Sequence, residues 1–202
     1  MREIQADKAR FGCIILAAGA STRMGSPKQL LEVGGKPLIL RAAEAALASP
    51  AWPVVIVLGA NADRIRPLLA RLPVLIADNP AWPEGMASSI RAGIATLRQF
   101  SRALPGAVLA LCDQPGFAAG SVSRLIEAQR ATGRSIAAAR YGGHLGAPVL
   151  FLRSHFAALA ALTGEEGAHS LITAAGDDVA PVDMPELAAD LDTPEDLAAL
   201  KI

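Results

Sequence analysis

Five short, unbroken apolar runs constrain this chain more than any other feature: 11–16, 54–58, 74–77, 107–111 and 136–139. A strand with one wet face alternates apolar and polar residues. An unbroken run signals burial on both faces, as in a parallel sheet covered by helices. Amphipathic stretches at 38–48, 62–72, 86–100 and 121–132 separate the runs. In the second stretch Ile65, Leu68, Leu69 and Leu72 recur at helical spacing, and Pro37 stands just before the first. This alternation predicts an α/β chain: a single-domain, doubly wound, mostly parallel sheet with right-handed crossovers. Later in the chain, 148–152 reads as a strand, 154–162 as a helix and 179–182 as a last strand. A final helix opens at Thr193, which fits an N-cap, with Pro194 at the first helical position and Asp196 completing a pattern like a capping box. No linker is long enough to separate two domains. Residues 1–10 therefore read as a short polar tail and 11–202 as one domain.

The chain has 202 residues, and 52% of them are hydrophobic, enough for a sizeable core. Nineteen Lys and Arg balance nineteen Asp and Glu. A nucleic-acid binder usually shows a basic excess, so no nucleic-acid partner is expected. Cys13 and Cys112 each lie inside or at the end of an apolar run, which suits buried thiols in a reducing compartment. The start is polar rather than signal-like, and no apolar run reaches the roughly 20 residues of a membrane helix. The expectation is a cytoplasmic protein with no membrane partner.

The chemistry-bearing segment follows the first run: Leu16, Ala17, Ala18, Gly19, Ala20, Ser21, then Arg23 and Lys28. Small residues let backbone N–H groups approach a ligand, and the two cations supply charge to a polyphosphate. Strand ends in open α/β sheets are where ligands bind. The plain alternative is a tight surface loop with ordinary basic residues. The Walker spacing and the Gly-x-Gly-x-x-Gly fingerprint are both absent from this loop, and the second absence argues against hydride transfer.

Asp113 stands just past the run 107–111, at the same sheet edge as this loop. Magnesium takes one or two carboxylates plus phosphate oxygens, so Asp113 suits a metal. It equally suits a turn before Gln114-Pro115. Asp190 and Asp192, two apart on an extended segment before the final helix, form a second acidic candidate. Between 78 and 90, Asn79, Pro80, Pro83 and Gly85 mark a loop. There Ser88 or Ser89 is placed to cap the next helix or to read a base edge, and Trp82 reads as a packed anchor.

With these residues in place, the chain from about Gly12 to Leu200 resembles the nucleotidyltransferases that share a sugar-nucleotide pyrophosphorylase-like fold. It is most similar to the molybdenum-cofactor branch, and within it to the cytidylyltransferases. The resemblance implies that the Leu16–Ser21 loop with Arg23 and Lys28 cradles a triphosphate, and that Lys28 faces the phosphorus under attack. It implies a magnesium ion on Asp113 together with Asp192 or Asp190, of which Asp192 is favoured. It places Asp78, Asn79, Gly85 and Ser89 at the nucleobase. A Leu-Ala-Ala-Gly loop, with a methyl at Ala18, is the form seen in the branch that uses CTP.

The resemblance also places Gly146 and Pro148 at an acceptor pocket for molybdopterin, and implies transient contact with a molybdoenzyme or its chaperone. Two departures bear on the acceptor. Ala147 stands where many relatives carry His, and Glu165 and His169 stand where the similar segment carries Asp and Arg. A neutral or partly charged His grips a phosphate less firmly than Arg does. The implied reaction is transfer of CMP from CTP to the phosphate of molybdopterin. The alternatives are GTP as donor, a sugar phosphate or phospho-alcohol as acceptor, a non-catalytic nucleotide-binding partner, and, more weakly, an oxidoreductase with a dinucleotide site.

Overall fold

The computed structural model describes residues 10–21 and 26–188. Most of the expected tail, Arg23, the acidic pair Asp190 and Asp192, and the helix expected from Thr193 lie outside the described residues.

Seven strands form one sheet. The central strand β1 (Gly12–Ala17) lies between β4 (Val54–Leu58) and β6 (Gly106–Leu111), and β5 (Leu75–Asp78) lies outside β4. Beyond β6 come β8 (His144–Leu152), β7 (Ile136–Tyr141) and β9 (Val179–Asp183). Every pairing is parallel except the two made by β8. The mostly parallel, doubly wound α/β reading therefore holds. A separate short hairpin pairs β2 (Glu32–Val33) with β3 (Lys36–Pro37).

The strand expected at 148–152 begins earlier, at His144, and runs antiparallel. Gly142 and Gly143 both take positive φ, +55° and +81°, between the paired residues Tyr141 and His144. A two-residue turn of that kind returns the chain directly beside the strand it left. The register between β7 and β8 then shifts: Ala138 faces Val149 while Ala139 faces Gly146. Ala147 and Pro148 bulge out of the ladder between those pairs.

Strand residues alternate between the two faces. Cys13, Ile15 and Ala17 pack against α1 (Leu38–Leu47), α2 (Ala62–Leu69) and α4 (Ala119–Thr132). Ile14 packs on the other face against α3 (Met86–Phe100), with α5 (Phe156–Ala161) and α6 (His169–Ala175) further along. Gly93 lets α3 lie close on the sheet, because a Cβ there would stand 2.5 Å from a methyl of Ile14. Ile14, Ile15, Ile56 and Ile90 are fully buried, each stabilising by about 1.5–3 kcal/mol. The bounds of α3 coincide with the amphipathic stretch 86–100. The α6 helix was not foreseen: it has seven residues and buries only Ile172, too short a pattern to show a period.

The order of the strands places a ligand site. From β1 the chain winds outward through β4 and β5, then returns to β6 on the other side of β1. The crevice at the carboxyl ends of β1 and β6 is the switch point where open α/β sheets bind ligands.

Candidate active site

At that switch point lies a cleft of about 430 Å³. The loop from Leu16 to Ser21 forms one wall, and Lys28 and Asp113 both face the same space. Lys28 Nζ stands 3.5 Å from Asp113 Oδ2, so the cation after β1 and the carboxylate after β6 meet across the switch point. The backbone N–H of Cys112 donates to the Leu16 carbonyl at 3.3 Å and ties the two strand ends together.

The loop is held by side chains that sequence reading passed over. Buried Gln29 donates from Nε2 to the carbonyls of Ala17 (3.0 Å) and Gly19 (2.8 Å). Ser21, with φ +56°, accepts the backbone N–H of Lys28 at 2.9 Å. Gln29 directly follows Lys28, and nothing in that local pattern marks its role. Gly59 makes room for the loop from below: a Cβ there would stand 2.6 Å from the Ala18 carbonyl and 2.8 Å from Trp82 Cβ. Gly19 differs, because a Cβ there meets nothing within 4 Å. Packing does not demand glycine at 19, where the chain borders the cleft. Gly19→Ala is expected to change stability by under about 0.5 kcal/mol, yet to weaken nucleotide binding about tenfold. Thermal unfolding and a nucleotide titration on the same variant check both halves.

Opposite the loop, Gly85 and Ser89 line the cleft together with Trp82, Pro83 and Met86. Gly85 has φ +110° at the start of α3 and lies against the turn at Gly164. Asn79 is buried and donates from Nδ2 to Ser88 Oγ (2.9 Å) and Ser89 Oγ (3.0 Å). Ser88 Oγ donates to the Gly85 carbonyl at 2.8 Å. Asn79 therefore orients Ser89 from behind rather than lining the cleft itself. Asp78 does not line the cleft either: its carboxylate pairs with Arg66 of α2 at the surface. A residue at a strand end points wherever its nearest partner lies, which the local sequence does not show.

Behind the cleft lining, at the β8 bulge, Gly146 admits a buried polar knot, since a Cβ there would stand 2.9 Å from Tyr141 Oη; neither Gly146 nor Pro148 lines the cleft itself. Tyr141 Oη donates to the Ala147 carbonyl at 2.8 Å, and Gln114 Nε2 donates to both Tyr141 Oη (3.0 Å) and that carbonyl (3.1 Å). Gln114 thus fastens the turn bearing Asp113 to the β8 bulge that holds Pro148. Glu165 also faces the cleft, brought there by the Gly164 turn packing on α3. His169 contacts the Leu145 carbonyl at 3.3 Å.

Cys13 and Cys112 are free and buried. Burial pushes the Cys13 thiol up to about 12. Burial, then the negative charge of Asp113, pushes Cys112 well above the usual range. Thiolates are the reactive form, so neither is expected to take up iodoacetamide at neutral pH in the native protein. Both should react in denaturant, and mass spectrometry counts the adducts.

Among the described residues, no group of three His, Cys, Asp or Glu side chains converges to hold a metal. Among the described residues, the carboxylates facing the cleft are those of Asp113, about one-third exposed, and Glu165. An all-oxygen set completed by substrate suits magnesium or manganese. No helix of the described residues is long and apolar enough to cross a membrane.

The chain is 40% identical over 143 residues to a curated protein of Paenarthrobacter nicotinovorans named nicotine blue oxidoreductase, covering 70% of this chain and 67% of that one. A solved Mycobacterium sp. strain JC1 homologue of the Mycobacterium tuberculosis protein Rv0371c superposes with a TM-score of 0.80 at 30% identity, covering 95% of this chain and 94% of that one. Rv0371c itself, solved in complex with manganese, gives a TM-score of 0.77 at 25% identity, over 95% of this chain and 97% of that one. The model of the MobA-like NTP transferase domain matches residues 13–179. That match spans most of the chain and takes in the small-residue loop, Lys28 and Asp113, so the chain belongs to the MobA-like NTP transferase domain family, a family of nucleotidyltransferases.

Proposed function

We propose that this chain transfers CMP from CTP to the phosphate of molybdopterin and releases pyrophosphate. The observation that carries the reading is the meeting of Lys28 and Asp113 at 3.5 Å across the switch-point cleft, beside a loop built of small residues. An acceptor phosphate oxygen attacks the α-phosphorus in line. A new P–O bond forms, and the bond to the β-phosphate oxygen breaks. The acceptor is already anionic at neutral pH, so no covalent intermediate on the protein is required. Lys28, with Arg23 of the same loop, offsets charge on the triphosphate, and the backbone at 16–21 positions it. A divalent cation held by Asp113, with Asp192 or Asp190 of the closing segment, would add further positive charge at the phosphate oxygens. Ser89, oriented by Asn79, and Gly85 form the base side of the site. The Ala18 methyl, on the loop wall beside Gly59, supports a reading in which the site is narrowed in favour of a pyrimidine. The buried free thiols support a cytoplasmic location, where a molybdoenzyme or its chaperone would receive the product.

The test mixes the protein with magnesium, metal-loaded molybdopterin and either CTP or GTP, and measures pyrophosphate. Release with CTP alone supports the whole reading. Release with GTP alone keeps the chemistry and overturns the base assignment. Nucleotide binding without release from any acceptor, sugar phosphates included, favours a non-catalytic binding partner. A second reading, hydride transfer, is favoured by one observation: the identity shared with the protein named nicotine blue oxidoreductase. Tight NADH binding without magnesium, together with oxidation of NADH in the presence of a quinone-like dye, would replace the transferase reading.

A further inference from the structure

The amino ends of the parallel strands β4, β1 and β6 share the sheet edge opposite the cleft. Two aromatic rings stand exposed there. Trp52, just before β4, and Phe100, the last residue of α3, meet edge to face with ring centroids 6.2 Å apart. They are 40% and 47% exposed. Three arginines adjoin the rings. Arg10 immediately precedes Phe11, whose carbonyl accepts the Trp52 N–H at 2.7 Å. Arg102 lies two residues past Phe100, and Arg153 donates from Nη1 to the Arg102 carbonyl. The Arg153 backbone is fixed in turn, its N–H donating to the Pro105 carbonyl at 2.8 Å.

All three arginines are exposed, and among the described residues none of them pairs with a carboxylate. Asp177 and Asp178, just before β9, belong to the same edge but lie beyond β8 and β7, and Asp178 already accepts the Ser135 N–H at 3.0 Å. An exposed apolar residue standing alone needs no explanation, but here two aromatics in contact are rimmed by charge of one sign. Aromatic residues and Arg are the types enriched at the centres of protein interfaces.

The charge decides the occupant. A second copy docked by a two-fold axis would set arginines against arginines, which is repulsive. A run of bases needs ring faces open for stacking, whereas these rings stand at 83° to each other, the edge of one against the face of the other. A carboxylate suits the guanidinium forks, which take it bidentately, and an apolar side chain beside it covers the rings.

We infer that this edge docks a protein partner through an acidic segment that carries a large apolar side chain. Neither ring and none of the three arginines lines the nucleotide cleft, so partner and nucleotide bind together. The inference stands whether or not the transferase reading does.

The probe is a synthetic peptide with a central Leu-Phe pair flanked by three glutamates on each side. It is titrated into the full chain while the Trp52 indole N–H is followed by NMR, that signal being assigned with Trp52→Phe. Saturable binding is expected, about tenfold tighter than for a control peptide with Gly-Ser at its centre, and weakening as salt is raised. Arg102→Glu combined with Arg153→Glu should weaken the peptide at least tenfold and leave CTP affinity within twofold. Arg10→Glu disturbs neither of the Arg153 hydrogen bonds and serves if the double variant does not fold. Absence of saturable binding, or equal binding of the Gly-Ser control, would overturn the proposal. So would a Trp52-dependent preference for phosphatidylserine vesicles or duplex DNA over the peptide, or a dimer in sedimentation that Trp52→Ala abolishes.

Discussion

Asp113→Ala yields a folded protein whose pyrophosphate release falls by about a hundredfold to a thousandfold, the range seen when one preorganised charge-stabilising group is removed from an active site. The expectation rests on position. Asp113 follows β6 at the switch point, faces the cleft, and stands 3.5 Å from Lys28 Nζ. Its side chain is about one-third exposed and plugs no core, so folding does not depend on it. The kinetic pattern distinguishes a catalytic loss from a binding loss. On the proposed reading, removing the carboxylate leaves the Lys28 charge in place to hold the triphosphate, so CTP affinity should be retained while kcat collapses. Asp113→Asn preserves the shape without the charge and should behave alike. Turnover within about threefold of wild type in a protein with an unchanged unfolding midpoint would remove Asp113 from the mechanism.

Gly85→Ala is expected to cost about 2–6 kcal/mol of stability, combining backbone strain and overpacking. Gly85 has φ +110° and ψ −174°, a region that residues with a Cβ scarcely enter. The added Cβ would stand 2.4 Å from the Gly164 carbonyl oxygen. That same carbonyl accepts the Ala87 N–H at 3.2 Å, at the start of α3. To relieve the clash, the Gly164 turn or the first turn of α3 must move, and Glu165 and Ser89 move with them. A whole-domain stability of about 5–15 kcal/mol leaves little margin for such a loss. Urea unfolding measures it, with the slope showing whether the native state stays compact. A shift below about 0.5 kcal/mol would show that the two turns separate freely, and that Gly85 matters only for ligand approach.

Much of the fold is legible along the chain because burial on both faces writes itself into consecutive residues. The run 107–111 is apolar throughout because Val108 and Ala110 face one helical layer while Ala107 and Leu109 face the other. The bounds of α3 were legible for a related reason: Ile90, Ile94 and Leu97 return to one side at helical spacing. The position of Asp113 followed from the same logic, since a charge directly after a buried run must lie at the sheet edge. Other features depended on contacts between distant residues. The direction of β8 was set by two consecutive glycines in positive φ, whose effect on topology a reading of apolar runs does not weigh. Asp78 and Asn79 are neighbours in sequence, yet one pairs with Arg66 at the surface while the other turns inward to Ser88 and Ser89. Gln29, Gln114, Tyr141 and Gly59 carry no local mark of their parts in the site.

By itself the sequence determined the α/β class, the strands along which it winds, and the loop and carboxylate at their carboxyl ends, because apolar period and strand-end position are local properties of the chain. Tertiary structure alone decided which strands became neighbours, that Lys28 and Asp113 meet across the switch point, that Gln29 and Gln114 anchor the two sides of the cleft, and that Trp52 and Phe100 meet at the opposite edge. Those outcomes depend on the packing of segments tens of residues apart, and no periodicity within one segment encodes its distance from another.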